Sequence, residues 1–216
     1  MAEEYKQGSS LIAVGALAPA TLGRDSIQIT RDAILQWKLE GRSFYAQQGD
    51  AGTKLNFAET AYDEDQPQFA LTVPTGAILI PLSLAVTLED TTGTELHLIW
   101  STTTNSIGVG TSTLLTPVNY RRDAPFASPI GANSLYTGNA TAATGLIEVR
   151  RWHHSYAQVA VTDTDQTHHR WTIDDPDMPI LLGPATLQMH VYATGTAPQG
   201  FGEYTWIYLD AVSLGL

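Results

Sequence analysis

The chain has 216 residues, a hydrophobic fraction of 43% and a formal net charge of −11, which suit one globular domain with an extension or two small domains. Only 15% of the residues are charged and no cluster of Lys and Arg is present, which argues against charge-driven disorder, a coiled coil and a nucleic-acid partner. The chain has no cysteine, which excludes disulfides, thiolate metal sites and cysteine nucleophiles.

The first part of the chain, residues 1–65, differs in pattern from the rest. It has short apolar groups and turn residues but no long alternating strand, so we predict an N-terminal arm. Within it, residues 30–39 have an N-cap residue, an apolar face of helical spacing and a following glycine, which predict one short helix. Residues 42–46 are rich in good strand formers and favour a β-strand instead.

Three aromatic side chains of the arm are interface candidates: Trp37, Phe44 and Tyr45. A segment with little core of its own would leave them exposed, so they need a surface to cover them. Two interpretations stay open, since they can pack on the body of their own domain or on a neighbouring subunit, and interfaces are enriched in aromatic residues. The polar strand faces around His97 and His190 are weaker candidates.

From residue 66 onward, apolar and polar residues alternate with the period of a β-strand. Residues 82–88 and 96–100 alternate clearly on either side of a Thr-Thr-Gly turn, which predicts an antiparallel hairpin. Residues 204–214 are apolar on both faces, as is typical of an internal strand. About eight strands separated by turn signals predict an all-β fold over 66–216, a jelly-roll-like antiparallel β-sandwich that follows the arm.

Imidazoles and carboxylates fall close together in one region of the chain: His153, His154, Asp163, Asp165, His168 and His169. If the strands that carry them pair, these groups could converge on a metal ion. However, adjacent residues of a strand point to opposite faces, and Asp is favoured in turns for its own backbone hydrogen bonds. We therefore assign these residues to turns and surfaces, and we predict no metal ligand and no cofactor.

Enzyme signatures are missing from the sequence. Carboxylate pairs for glycoside hydrolysis could be drawn from several Asp and Glu residues, but any acidic β-rich chain offers such pairs. No nucleophile elbow, zinc-protease helix or phosphate-binding loop occurs. We therefore predict no catalytic residue and no enzyme activity, and a hydrolase remains the third hypothesis.

Several segments resemble a known group of proteins: GRSFYAQQGDAG at residues 41–52, residues 61–90, SLYTGNATAATG at residues 134–145, and APQGF and TWIYLDAVSL near the C-terminus. With these segments the chain is similar to virion proteins of tailed bacteriophages. The resemblance implies a jelly-roll or related β-sandwich attached to the capsid exterior, often as a trimer. It concerns strands and loops, and it implies no functional residue.

The leading hypothesis is therefore a structural virion protein, a cement or decoration subunit that binds the major capsid protein and stabilises the phage head. We expect a homotrimer that is assembled in the host cytoplasm and located on the capsid exterior, with no membrane partner. The alternative is a tail- or spike-associated module that binds host glycans through long loops predicted at residues 101–113 and 121–145.

Overall fold

The fold is described from a computed structural model. It describes residues 21–22, 28–29, 33–50, 52–57, 59–89, 95–105, 111–123, 127–137, 144–155 and 167–212. Most of residues 1–32, the aspartates at 163 and 165, and parts of the predicted loops lie outside the described residues.

In chain order the described elements are β1 (Thr21–Leu22), β2 (Gln28–Ile29), α1 (Ala33–Leu39), β3 (Ser43–Gln48), β4 (Leu55–Asn56), β5 (Phe69–Val73), β6 (Ala77–Glu89), β7 (Glu95–Thr103), β8 (Thr111–Leu115), β9 (Val118–Asn119), β10 (Gly131–Thr137), β11 (Ile147–Ser155), β12 (Thr167–Thr172), β13 (Leu181–Leu182), β14 (Ala185–Ala193) and β15 (Gln199–Asp210). The strands β1 and β2 pair with each other. In the part of the chain that the structure describes, no helix could span a membrane.

Two antiparallel sheets pack face to face and enclose the main core. The six-stranded sheet has the order β11-β7-β14-β5-β10-β8. The seven-stranded sheet has the order β12-β6-β15-β3-β9, with β13 beside β6 and β4 beside β15. The chain passes from one sheet to the other between β4 and β5, β5 and β6, β6 and β7, β8 and β9, β9 and β10, β11 and β12, β13 and β14, and β14 and β15. The predicted all-β antiparallel sandwich is confirmed, although its sheets have more strands than those of a simple eight-stranded jelly roll.

Every second side chain along the strands points into the core between the sheets. Leu187, Met189 and Val191 of β14 point inward, as the sequence predicts, and are fully buried. The ring of Phe69 stacks on that of Tyr204 from the opposite sheet, with centroids 3.6 Å apart. Burial of large aromatic side chains from both sheets is what holds the two layers together.

A buried polar network also joins the two sheets. Tyr204 donates a hydrogen bond of 2.5 Å to Oε1 of Gln48, and Nε2 of Gln48 donates to the Gln68 carbonyl at 2.6 Å and to the Ser134 hydroxyl. Burial raises the pKa of Tyr204 well above its usual range, so the phenol stays protonated and can donate. The polar groups of Gln48 are thus satisfied inside the core.

The predicted hairpin between residues 82–88 and 96–100 is wrong. The strands β6 and β7 belong to different sheets, and β7 pairs with β11 and β14 instead. The apolar faces of β6 and β7 are both buried in the main core. Alternation therefore identified the inward face of each strand but not the sheet in which it lies.

The predicted loops at 101–113 and 121–145 are partly wrong as well. The strand β7 extends to Thr103, β8 begins at Thr111, and β10 occupies Gly131–Thr137. The end of β7 at 101–103, β8 and β10 are rich in small or polar residues, so their hydrophobic alternation is weak. Pairing of β10 with β5 and β8 determines their conformation.

The sandwich includes part of the predicted arm. The strand β3 lies between β15 and β9, and β4 pairs with β15, so the seven-stranded sheet contains residues that precede the expected start of the sandwich at 66. The short helix is present as α1, and it ends before the glycine that was predicted to stop it.

Candidate functional site

Phe44, one of the three interface candidates, is a core residue. Its side chain is fully buried, and its ring lies 6.3 Å from that of Trp206 in the neighbouring strand β15. Of the two interpretations left open by the sequence, packing on its own sandwich is correct for this residue. Phe44 therefore offers no surface to another molecule.

Trp37 packs on the outward face of the seven-stranded sheet. Together with Ile34 it covers a second apolar cluster, which is separate from the main core and includes Ile78, Ile207 and Leu209. Trp37 is partly buried there, so most of its contact is again with its own chain. The outward apolar residues of β6 and β15 explain why α1 lies on this sheet.

Tyr45 points outward from β3 beside a second tyrosine. Its ring centroid is 5.0 Å from that of Tyr120, and Arg122 donates a 3.2 Å hydrogen bond to its hydroxyl. The Tyr120 hydroxyl lies 3.2 Å from the hydroxyl of Thr205 on the neighbouring strand. Tyr45 is thus part of a surface aromatic pair with polar groups around it.

Next to this pair, α1 leaves apolar side chains uncovered. Leu35 is 50% exposed, Leu39 is 49% exposed and Tyr120 is 48% exposed. We call these three residues the α1 surface. Nη1 of Arg121 donates to the Leu39 carbonyl at 3.0 Å, which fixes the end of the helix against the segment that carries Tyr120.

A shallow depression of about 340 Å³ adjoins the α1 surface. Its lining consists of Lys38, Leu39, Tyr120, Arg121 and Asp123. Arg121 and Asp123 form a two-point ion pair, with N–O distances of 2.9 and 3.1 Å. The depression therefore combines an aromatic ring, a leucine and charged groups at one end of the seven-stranded sheet.

The outward face of the six-stranded sheet carries titratable groups instead. Glu95 and His97 lie on the same face of β7 because they are two residues apart, and His153 of β11 is directly opposite His97. We call Glu95, His97 and His153 the histidine cluster. One potential ligand atom from each residue lies within 4.8 Å of the other two.

Aromatic neighbours hold the histidine cluster in place. The His97 ring stacks on that of Tyr192 at 4.6 Å with an angle of 7°, and its centroid is 4.5 Å from that of His153. Burial lowers the pKa of His97, partly offset by Glu95, whose Oε2 is 3.6 Å from Nε2 of His97. Near neutral pH, the neutral form of His97 is therefore favoured.

His190 lies farther along β14 on this same outward face. It is almost fully buried, and the ring of Tyr62 covers it at 5.1 Å. Burial lowers the pKa of His190 to about 4, against the opposing effects of the Glu64 backbone and the Asp63 carboxylate. His190 is thus a neutral histidine beneath the segment that carries Tyr62.

Within the described residues, the histidines between residues 153 and 169 are not brought together as the considered metal site required. The strands β11 and β12 lie in different sheets, so the pairing on which that site depended does not occur. The His168 ring lies 2.9 Å from the Thr87 hydroxyl on the outward face of the seven-stranded sheet, whereas His169 is buried beside Trp152. The histidine cluster instead joins His153 to residues that sequence analysis did not connect with it.

Comparison of the chain with family models, with curated proteins and with solved structures finds no match. The geometry described above offers two candidate sites. The α1 surface can bury apolar area against another molecule, and the histidine cluster can supply nitrogen and oxygen ligands.

Proposed function

We propose that the chain is a structural virion subunit, a cement or decoration protein that binds the major capsid protein on the exterior of a tailed-phage head. In this proposal it acts as a homotrimer, and its function lies in contacts between proteins. The resemblance of its strand and loop segments to phage virion proteins supports this role. The α1 surface is the single structural observation that carries it.

Apolar side chains on α1 are covered on one side of the helix and exposed on the other. A helix of seven residues partly buries Ile34 and Trp37 against its own sheet and still exposes Leu35 and Leu39 by about half. A surface helix normally places polar residues on the side away from the core. Apolar residues on both sides of α1, beside an exposed tyrosine, fit a helix that lies between its own sheet and a second protein.

The charge and composition of the chain are compatible with many copies on one particle. A net charge of −11 keeps the free subunit soluble at the high local concentration that a capsid surface requires. Around the α1 surface the charges are mixed, since Lys38 and Arg121 lie beside Asp123, so like-charge repulsion between copies is weaker there than the net charge alone would give.

Replacement of both leucines tests the proposal. The variant L35S/L39S keeps Ile34 and Trp37, so we expect its free energy of unfolding to change by no more than about 1 kcal/mol. We expect its affinity for phage heads stripped of this protein to fall at least tenfold in co-sedimentation. Leu114→Ser, at an exposed leucine of the edge strand β8, is the matched control and should bind like the wild type.

Two readouts separate the subunit contact from the capsid contact. Sedimentation velocity of the free protein reports whether L35S/L39S still forms the oligomer of the wild type. Loss of the oligomer would assign the α1 surface to the trimer interface, and loss of head binding alone would assign it to the capsid protein. Binding and assembly identical to the wild type would contradict the proposed role of this surface.

A glycan-binding module of a tail or spike is the second candidate. The Tyr45–Tyr120 pair and the adjoining depression favour it, because exposed aromatic rings beside charged groups are suited to stacking on sugars and bonding their hydroxyls. A glycan array probed with the wild type and with Tyr120→Ala tests it. Signal that Tyr120→Ala abolishes would support this function, and absence of signal from the wild type would reject it.

A further inference from the structure

The histidine cluster has the chemistry of a metal centre. Two imidazoles and one carboxylate are typical ligands of zinc and related ions, whereas magnesium and calcium prefer oxygen ligands alone. Strand pairing places these ligands together, because His97 and His153 are directly opposite each other and Glu95 projects from the same face. We propose that Glu95, His97 and His153 bind a divalent transition-metal ion of the zinc class.

The distances within the cluster fit one shared ion. Ligand atoms around a tetrahedral zinc lie about 3.3 Å apart, given bonds of about 2.0–2.1 Å. The Glu95 and His97 ligand atoms are already 3.6 Å apart, a separation longer than a good hydrogen bond. All three ligand atoms lie within 4.8 Å of one another. Glu95 and His153 are exposed, so small rotations of their side chains can shorten these separations to the spacing that zinc requires.

Polar groups around the cluster are also consistent with a cation. Nδ1 of His97 is buried and has no hydrogen-bond partner among the residues that the structure describes, although the ring is held between Tyr192 and His153. Arg151, the nearby positive charge, is already paired with Glu148 through N–O distances of 2.9 and 2.5 Å. The repulsion of a bound cation by Arg151 is therefore partly neutralised.

The ion would connect an edge strand to the interior of its sheet. The strand β11 is the outermost strand of the six-stranded sheet, and β7 is its inner neighbour. Three protein ligands leave one coordination position for water or for a donor atom of another molecule. A bound ion would thus stabilise the folded chain and fix the edge strand β11 against β7.

Zinc titration of the chelator-treated full chain tests the site. We expect one zinc ion per chain by isothermal titration calorimetry, and a rise in Tm of about 5–10 °C when free zinc exceeds its Kd about 100-fold. Cobalt substituted for zinc should give the visible absorption bands of a tetrahedral site. Magnesium at the same concentration should leave Tm unchanged.

Single variants identify the ligands. His153→Ala and Glu95→Gln alter exposed side chains and should each weaken zinc binding at least tenfold while the chain stays folded. His168→Ala removes an exposed histidine from the other sheet and should bind zinc like the wild type. The proposal is overturned if zinc does not bind the wild type, if magnesium has the same effect as zinc, or if His168→Ala weakens binding as much as His153→Ala does.

Discussion

The outward faces of the two sheets are covered by different kinds of side chain. On the seven-stranded sheet, isoleucines and leucines of β6 and β15 face outward and are covered by Ile34 and Trp37 of α1. On the six-stranded sheet, the outward residues include His97, His190 and Tyr192, and aromatic contacts with Tyr62 replace the aliphatic cover.

The two outward faces therefore differ in what they can contact: one is apolar and the other carries titratable side chains. Outward apolar residues on a strand require a cover, and here a segment from before the sandwich supplies it. Outward histidines can instead remain partly hydrated, available to a ligand or a proton. This difference is the basis on which we propose contact with other proteins on the seven-stranded side and ion binding on the six-stranded side.

The largest expected loss of stability comes from the apolar cluster between α1 and the seven-stranded sheet. Ile207→Ala removes a fully buried side chain from the cluster beneath α1, and we expect it to lower the free energy of unfolding by about 3–4 kcal/mol because a cavity remains. Ile147→Ala, at an exposed isoleucine of β11, should cost about 0.5 kcal/mol or less. Urea unfolding of both variants measures this, and equal losses would show that α1 does not seal the outward face.

His190, on the outward face of the six-stranded sheet, should make the free energy of unfolding depend on pH. His190 has a folded-state pKa of about 4, below the value of about 6.5 in an unfolded chain, so only the unfolded state binds a proton between these pH values. Its contribution to stability is present above pH 6.5 and is lost as the pH falls toward 4. The full loss amounts to about 3 kcal/mol at most, from about 1.4 kcal/mol per pH unit.

His190→Gln isolates this contribution. The variant has no group that titrates at this position, so its free energy of unfolding should fall less than that of the wild type between pH 7 and pH 4. Chemical unfolding at several pH values gives the difference directly. Parallel pH profiles for the two proteins would contradict a buried, neutral His190.

A smaller effect is expected at the edge where the two sheets meet. Arg150 of β11 lies over the rings of Trp152 and Trp171, with its guanidinium carbon 4.7 and 5.5 Å from their centroids, and its Nη1 is 2.9 Å from a carboxylate oxygen of Asp177. Arg150→Lys keeps the charge but loses the planar stacking, and should cost about 1 kcal/mol.

Arg151→Lys is the matched control for that edge. Arg151 is more exposed and pairs with Glu148 on its own strand, so the substitution should change the free energy of unfolding by about 0.5 kcal/mol or less. A similar cost for both substitutions, measured by urea unfolding, would mean that Arg150 does not join the two sheets.

The sequence was sufficient to predict which residues face the core in the strongly alternating strands. The alternate apolar residues of 187–191 and 96–100 point inward as expected, and β15 is internal, as its apolar character on both faces indicated. Leu82 is an instructive exception. Ser83 pairs with Thr205 and Pro81 with Trp206, which leaves Leu82 as an extra residue in a bulge, and its side chain packs in the outward cluster.

The candidate sites could be predicted less well, for a physical reason. Spacing places Glu95 and His97 on one face, but no local signal indicates that His153, more than 50 residues later, pairs opposite His97. Phe44 has the composition of an interface residue and is a core residue, because the strand that carries it lies inside a sheet. Long-range strand pairing decides both outcomes, and alternation does not specify it.

Heat treatment of phage heads with and without this chain tests the central proposal most directly. We expect heads that lack the protein to release DNA at a temperature several degrees lower than complete heads. Addition of the wild-type chain should restore the original temperature, and L35S/L39S should not. Equal release temperatures for complete and deficient heads would contradict a role in stabilising the capsid.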